Sequence, residues 1–149
     1  MKIELVREIC YKLAADHGFE LNCDIDIQRN DLLALGTVRY VQELVFSPAP
    51  IAAEQWRTAE WKPVIKEILF SSHFLDNADD EDILNVVRHE LAHAFVFLET
   101  GKRQGHNEKF RAMCLRLGTK LVGAENDCSI LKYKVPFDQW ALSLERSII

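Results

Sequence analysis

A chain of 149 residues, 48% apolar and 28% charged, has the size and composition of one globular domain with a real core. Its net charge of −5 excludes a domain built mainly to coat nucleic acid, because neutralising phosphates needs a surplus of Lys and Arg. No apolar run approaches the ~18 residues of a membrane helix, and Glu4, Arg7 and Glu8 interrupt the segment where a signal peptide needs unbroken apolar sequence. The expectation is an intracellular, cytoplasmic protein with no membrane partner.

Ile3, Val6, Ile9, Cys10 and Leu13 recur at helical spacing up to Gly18, which predicts an amphipathic helix over 3–16. The stretch "FELNCDIDIQ" then alternates strictly, with Phe19, Leu21, Cys23, Ile25 and Ile27 on one side, and reads as a strand with one wet face. After the turn chemistry of "RND", the β-branched and aromatic run "LGTVRYVQELVF" predicts a second strand returning as a hairpin on the first. "SPAP" breaks structure, "IAAEQWRTAEW" suits a short helix ended by Pro63, and Trp56 and Trp61 are expected in the core ahead of the alternative that they line a substrate groove. "VIKEILFS" is the third strand. The acidic run Asp79, Asp80, Glu81 and Asp82, with a cap at Asp79 or Asp80, opens a helix at about 80 to 99 that Gly101 can close. A further helix follows, with Phe110, Met113, Cys114 and Leu117 as its stripe and Gly118 as its stop. The tail reads as a strand, "ILKYKV", and a short helix opened by Asp138 with Trp140 and Leu144 on one face. Cys10, Cys23, Cys114 and Cys128 show no CxxC pair, so packed, reduced thiols are expected rather than a disulfide framework or a zinc ribbon.

Within the central helix, "RHELAHAF" puts His89, Glu90 and His93 together in an otherwise apolar run. At about 100° per residue the two histidines point within about 40° of each other, about 6 Å apart along the axis, so both imidazoles can reach one ion. Glu90 is offset to one side, where a carboxylate can act on the water that the ion activates without being a ligand. This is the HExxH arrangement of zinc hydrolases, in which neutral imidazoles hold zinc and leave a position open. Two buried histidines and a glutamate would be a costly way to fill a core without a metal.

A third protein ligand is required. Val96 and Glu99 stand where the metzincin pattern needs Gly and His, which excludes that subfamily. Glu108 and Glu125 are the candidates for a later glutamate ligand, and His106 ranks ahead of them because it sits at a helix start after a loop containing Gly101 and Gly105. His17 and His73 read as surface or capping residues, and Tyr40, Tyr133 and His73 as the donors available to an oxyanion.

Together, "ILNVVRHELAHAF", "HNEKF" followed by "RAMCLRLG", and the strand "EILFSSHFLD" leading into the active helix resemble the SprT-like zinc metallopeptidases, a Spartan-related family of HExxH zincins. The resemblance spans roughly residues 64 to 120, with a weaker echo in "LALGTVRY". It implies His89, His93 and His106 as ligands of one catalytic Zn2+ and Glu90 as the catalytic acid/base. Two departures stand out: Asn107 replaces the usual glycine after the third histidine, where asparagine's tolerance of positive φ would preserve the turn. The four-cysteine C-terminal ribbon is also missing, since the tail has only Cys128, which weakens transfer of a DNA-repair role.

The expected fold is α+β and zincin-like, a small twisted sheet packed against the HExxH helix in a single domain over 1–149. The expected function is zinc-dependent hydrolysis of peptide bonds in a protein or peptide substrate, with the edge of the strand "EILFS" aligning the extended chain. Two alternatives are a zinc-binding interaction module without useful turnover and a protease acting on DNA-bound proteins. The second draws on Lys102, Arg103, Lys109, Arg111, Arg116 and Lys120, for which weak, salt-dependent nucleic-acid binding is expected.

Overall fold

The computed structural model describes residues 1–28, 35–46 and 59–119. Helix α1 (Ile3–Asp16) turns Ile3, Val6, Cys10 and Ala14 inward, one turn apart, as the spacing predicts. The alternation after it also holds: Leu21 and Ile25 are buried while Glu20, Asn22, Asp24 and Asp26 face water, although only β1 (Asp24–Gln28) pairs as a strand. Strands β2 (Gly36–Phe46) and β3 (Ala59–Ser71) complete a three-stranded sheet in the order β1-β3-β2.

That order corrects the expected hairpin. β1 lies parallel to β3, with Ile25 opposite Ile68, and β2 is antiparallel to β3, with Val38 opposite Ile68. The most apolar strand takes the centre, since Ile65, Ile68 and Phe70 are buried and a neighbour on each side satisfies their backbone. β3 therefore has no edge to offer a peptide along "EILFS", and the substrate-aligning edge expected there is excluded. On the outer side of β1, α1 supplies partners instead: Arg7 Nε donates to Ile25 O at 2.7 Å and the Tyr11 hydroxyl donates to Cys23 O at 2.9 Å.

The expected helix "IAAEQWRTAEW" fails at its end, because Ala59–Trp61 already belong to β3 and Pro63 sits inside that strand opposite Gln42. Residues 51–58, and Trp56 with them, lie outside the described residues. Trp61 is 63% exposed opposite Leu44, on the part of the β2–β3 ribbon that the helices do not cover, so it is not a core residue. A short helix that the sequence did not announce, α2 (Ser72–Asn77), separates β3 from the central helix, and the Ser71 hydroxyl caps it by accepting from Phe74 N at 3.1 Å.

Helix α3 (Asp80–Thr100) matches its expected bounds within a residue. Asp79 is its N-cap, without a side-chain cap bond, and three acidic residues in the first turn complement the helix dipole. Gly101 ends it at φ 71°, a left-handed conformation that glycine adopts without penalty. Ile83, Val87, Leu91, Phe95 and their neighbours on α3 are buried in the common core, and Phe19 stacks on Phe95 with ring centroids 4.2 Å apart. Helix α4 (Glu108–Leu117) runs back along α3, held at its far end by Thr119 Oγ1 donating to Asn85 O at 3.1 Å.

No helix among the described residues is long and apolar enough to cross a membrane. Of the cysteines, Cys10 and Cys114 are fully buried, and burial pushes both thiols up to about 12; Cys23, half-buried, rises to about 11 from burial and then the neighbouring Asp24 charge. Since the thiolate is the nucleophile, native protein at pH 7.5 should be alkylated by iodoacetamide at Cys10 and Cys114 at least tenfold more slowly than guanidinium-unfolded protein. Mass spectrometry of the labelled positions checks this, and equal rates would contradict the packing described.

Candidate metal centre

The i,i+4 spacing on α3 brings the imidazoles of His89 and His93 to 4.9 Å between ring centroids. The third comes from across the α3–α4 connection: the His106 ring lies 5.0 Å from that of His89 and 5.1 Å from that of His93. His89 is 5% exposed and the other two are half-buried. One nitrogen from each lies within 4.8 Å of the other two, and His93 Nε2 and His106 Nε2 are 3.2 Å apart.

These distances fit an ion. Two nitrogens bound at about 2.0–2.1 Å with tetrahedral angles sit about 3.3 Å from each other, close to the His93–His106 separation. Three imidazoles without a carboxylate or thiolate also form a donor set suited to a borderline metal rather than to calcium or magnesium. Among the described residues His89, His93 and His106 form the cluster that can hold a metal. Glu108 is outside it, exposed at the first position of α4, and Glu125 lies outside the described residues.

Local sequence explains how His106 is presented. Asn107 is the N-cap of α4, and its side chain accepts from Phe110 N at 3.1 Å. Its φ is −89°, so the expected positive-φ turn does not occur: asparagine serves here as a cap, not as a substitute for glycine's conformational freedom. The cap starts α4 two residues after His106 and places Phe110 on the first turn, where the ring packs 4.2 Å from His93, 4.8 Å from His106 and 5.0 Å from His89. Phe110 is thus a floor touching all three imidazoles, although in the sequence it reads only as part of an apolar stripe. Phe110→Ala should cost about 3–5 kcal/mol of stability by opening a cavity, and should weaken metal binding as well because three rotamers lose their support. Denaturant unfolding and metal titration check the pair of effects; unchanged metal affinity would show that the ring only fills space.

Glu90 is half-buried, and this desolvation pushes its carboxyl from the ordinary 4.5 up to about 7. Tyr40 of β2 lies near enough to feel it. Burial raises the Tyr40 phenol, the Arg103 guanidinium opposes that rise and the Glu90 carboxylate reinforces it. The Tyr40 ring stacks on Phe97 at 4.5 Å and carries Arg103 over its face at 4.9 Å. Of the donors named from sequence, Tyr40 is therefore at the site. His73 is exposed on α2 and contacts Asn77, while Tyr133 lies outside the described residues. His17 is the C-cap of α1, the capping role expected of it.

A small mixed sheet laid against a helix bearing HExxH, with a third imidazole returned from the connection just before the following helix, makes this an α+β protein with a three-histidine candidate metal centre. The chain belongs to the SprT-like family, whose model matches residues 15–131. That match takes in the sheet as well as the two site helices, a wider span than the motifs alone covered. No curated protein and no solved structure matches the chain.

Proposed function

We propose that the chain is a zinc-dependent metallopeptidase, a single catalytic domain over residues 1–149. One zinc ion would be held by His89, His93 and His106, with Glu90 as general base and then general acid. The observation that carries this reading is the convergence of three imidazole nitrogens within reach of one ion, next in sequence to a half-buried carboxylate whose surroundings disfavour its charge. Zinc, when bound, polarises the scissile carbonyl and acidifies water. Glu90 takes the proton of the attacking water at its carboxylate and passes it to the leaving nitrogen, which would otherwise depart as an unstable anion. A glutamate partly desolvated is a stronger base than a fully exposed one, so its burial serves the first of these steps.

Substrate placement follows from the corrected sheet order. Among the described residues β2 pairs on one side only, and it runs beside α3, with Tyr40 against Phe97 and Gln42 Nε2 donating to Gly101 O. An extended peptide added to that edge would be aligned by main-chain hydrogen bonds, which gives loose sequence preference. The proposed partner is a protein or peptide. Part of the basic character of residues 101–120 also has a place within the fold, Arg103 over Tyr40 and Arg116 pairing with Glu99, so nucleic acid is the more weakly supported partner.

Digestion of an unbiased peptide library tests the reading. Zinc-loaded protein should cut it, chelation should abolish cutting, and restored zinc should restore it. One tightly held zinc per chain with the library intact would replace the enzyme by a zinc-binding interaction module.

A further inference from the structure

Gly36, the first residue of β2, lies directly against the side chain of the proposed general base. A Cβ built there would stand 2.6 Å from Glu90 Cγ, 3.1 Å from Cδ and 3.2 Å from Oε1. Carbon atoms in contact settle at about 3.5–4.0 Å, so three successive atoms of the Glu90 side chain lie across the space that any other residue at 36 would fill. Conformation does not explain this glycine. The glycines at positive φ are Gly18, Gly101 and Gly118, and Gly36 is not among them. In a strand, glycine contributes no side-chain packing and lowers stability, so room for Glu90 is what the position gains.

Neither partner can easily move apart. Gly36 pairs with Phe70, which is fully buried, and Leu35 O accepts from Ser71 N at 3.0 Å, so the start of β2 is fixed to the central strand. Glu90 sits between His89 and Leu91 on α3, both buried in the core. The softest coordinate left is the Glu90 side-chain torsion. We propose that Gly36 is a positioning residue for Glu90: the bare backbone of β2 at this point forms the wall against which the carboxylate is laid, and it holds that group in the orientation that proton transfer requires. For its catalytic meaning this rests on the metallopeptidase reading, whereas the contact itself does not.

A thermal double-mutant cycle on zinc-loaded protein tests the contact. Gly36→Ala alone should lower Tm by about 3–8 °C, the cost of overpacking in a chain of this size. In a Glu90→Ala background, where Cγ, Cδ and Oε1 are gone, the same change should shift Tm by less than about 2 °C. Equal losses in both backgrounds would overturn the proposal, and the second background keeps the test open if Gly36→Ala alone does not fold. In a crystal structure of Gly36→Ala, the Glu90 carboxylate should be displaced by about 1 Å with the three imidazoles unmoved; a shifted β2 beside an unmoved Glu90 would also refute it. With a cleavable peptide, kcat should fall about 10- to 100-fold while KM and zinc content hold, as expected for a misplaced base. A parent protein that cuts nothing would sink the peptidase reading and leave the thermal cycle to decide on Gly36.

Discussion

Glu90→Gln is expected to keep the metal and lose the reaction. The amide has the size of the carboxylate and fits against Gly36 in the same way, yet it cannot accept a proton, so kcat should fall by about 10² to 10⁴-fold. Zinc should remain near one per chain, because the ligands are His89, His93 and His106 in the proposed site. With the metal removed, the substitution should also reveal what burying the carboxyl costs. The folded-state value of about 7 lies above the ordinary 4.5, so between these pH values the folded protein holds a proton that the unfolded chain has released. The contribution of Glu90 to stability is therefore full below about pH 4.5 and declines as pH rises through 7, by up to about 3 kcal/mol. Glutamine carries no such penalty, so chelated Glu90→Gln should match the parent at pH 4.5 and exceed it in urea unfolding at pH 8. A variant that cuts peptide as fast as the parent would end the mechanism proposed here.

His106→Ala should strip the ion and the activity together, and so should His93→Ala, whereas Glu108→Gln should leave both intact. Two imidazoles alone hold zinc far more weakly than three, and His106 is the single member of the set not on α3, so its loss tests the convergence of the two helices directly. Metal content after gel filtration is the measurement. Were Glu108→Gln or Glu125→Gln to empty the site while His106→Ala kept it, a glutamate ligand would replace the third histidine.

What could be read from the chain in advance was what helical geometry settles locally. His89, Glu90 and His93 were legible because helical pitch alone fixes the angle between positions four apart, and the ends of α3 were legible because Asp79 and Gly101 mark them chemically. His106 was reachable by ranking, since the loop between the helices bounds where it can sit. Strand order was not legible: "FELNCDIDIQ" and "LGTVRYVQELVF" alternate as strands should, but nothing in an alternation says which strand is its neighbour, and the more apolar "VIKEILFS" took the place between them. Helix α2 is too short to show a period. Phe110 is hidden among residues that would be apolar in any case, and Gly36 gains its meaning only when β2 is laid against α3. Trp61 misled for a related reason, since a large aromatic side chain signals burial only if some element arrives to cover it, and among the described residues no helix reaches the far half of the β2–β3 ribbon.

The separation of 13 positions between His93 and His106 also makes the centre a chelate ring closed through the chain. An ion bound there fastens α4 to α3 as a crosslink does, and removes the configurational freedom of the segment that joins them. The inorganic element would then be a clasp as well as a reagent: the connection that supplies its last ligand, just ahead of α4, is the segment whose fluctuations it suppresses, so loading with metal and annealing of that corner of the fold become a single thermodynamic event.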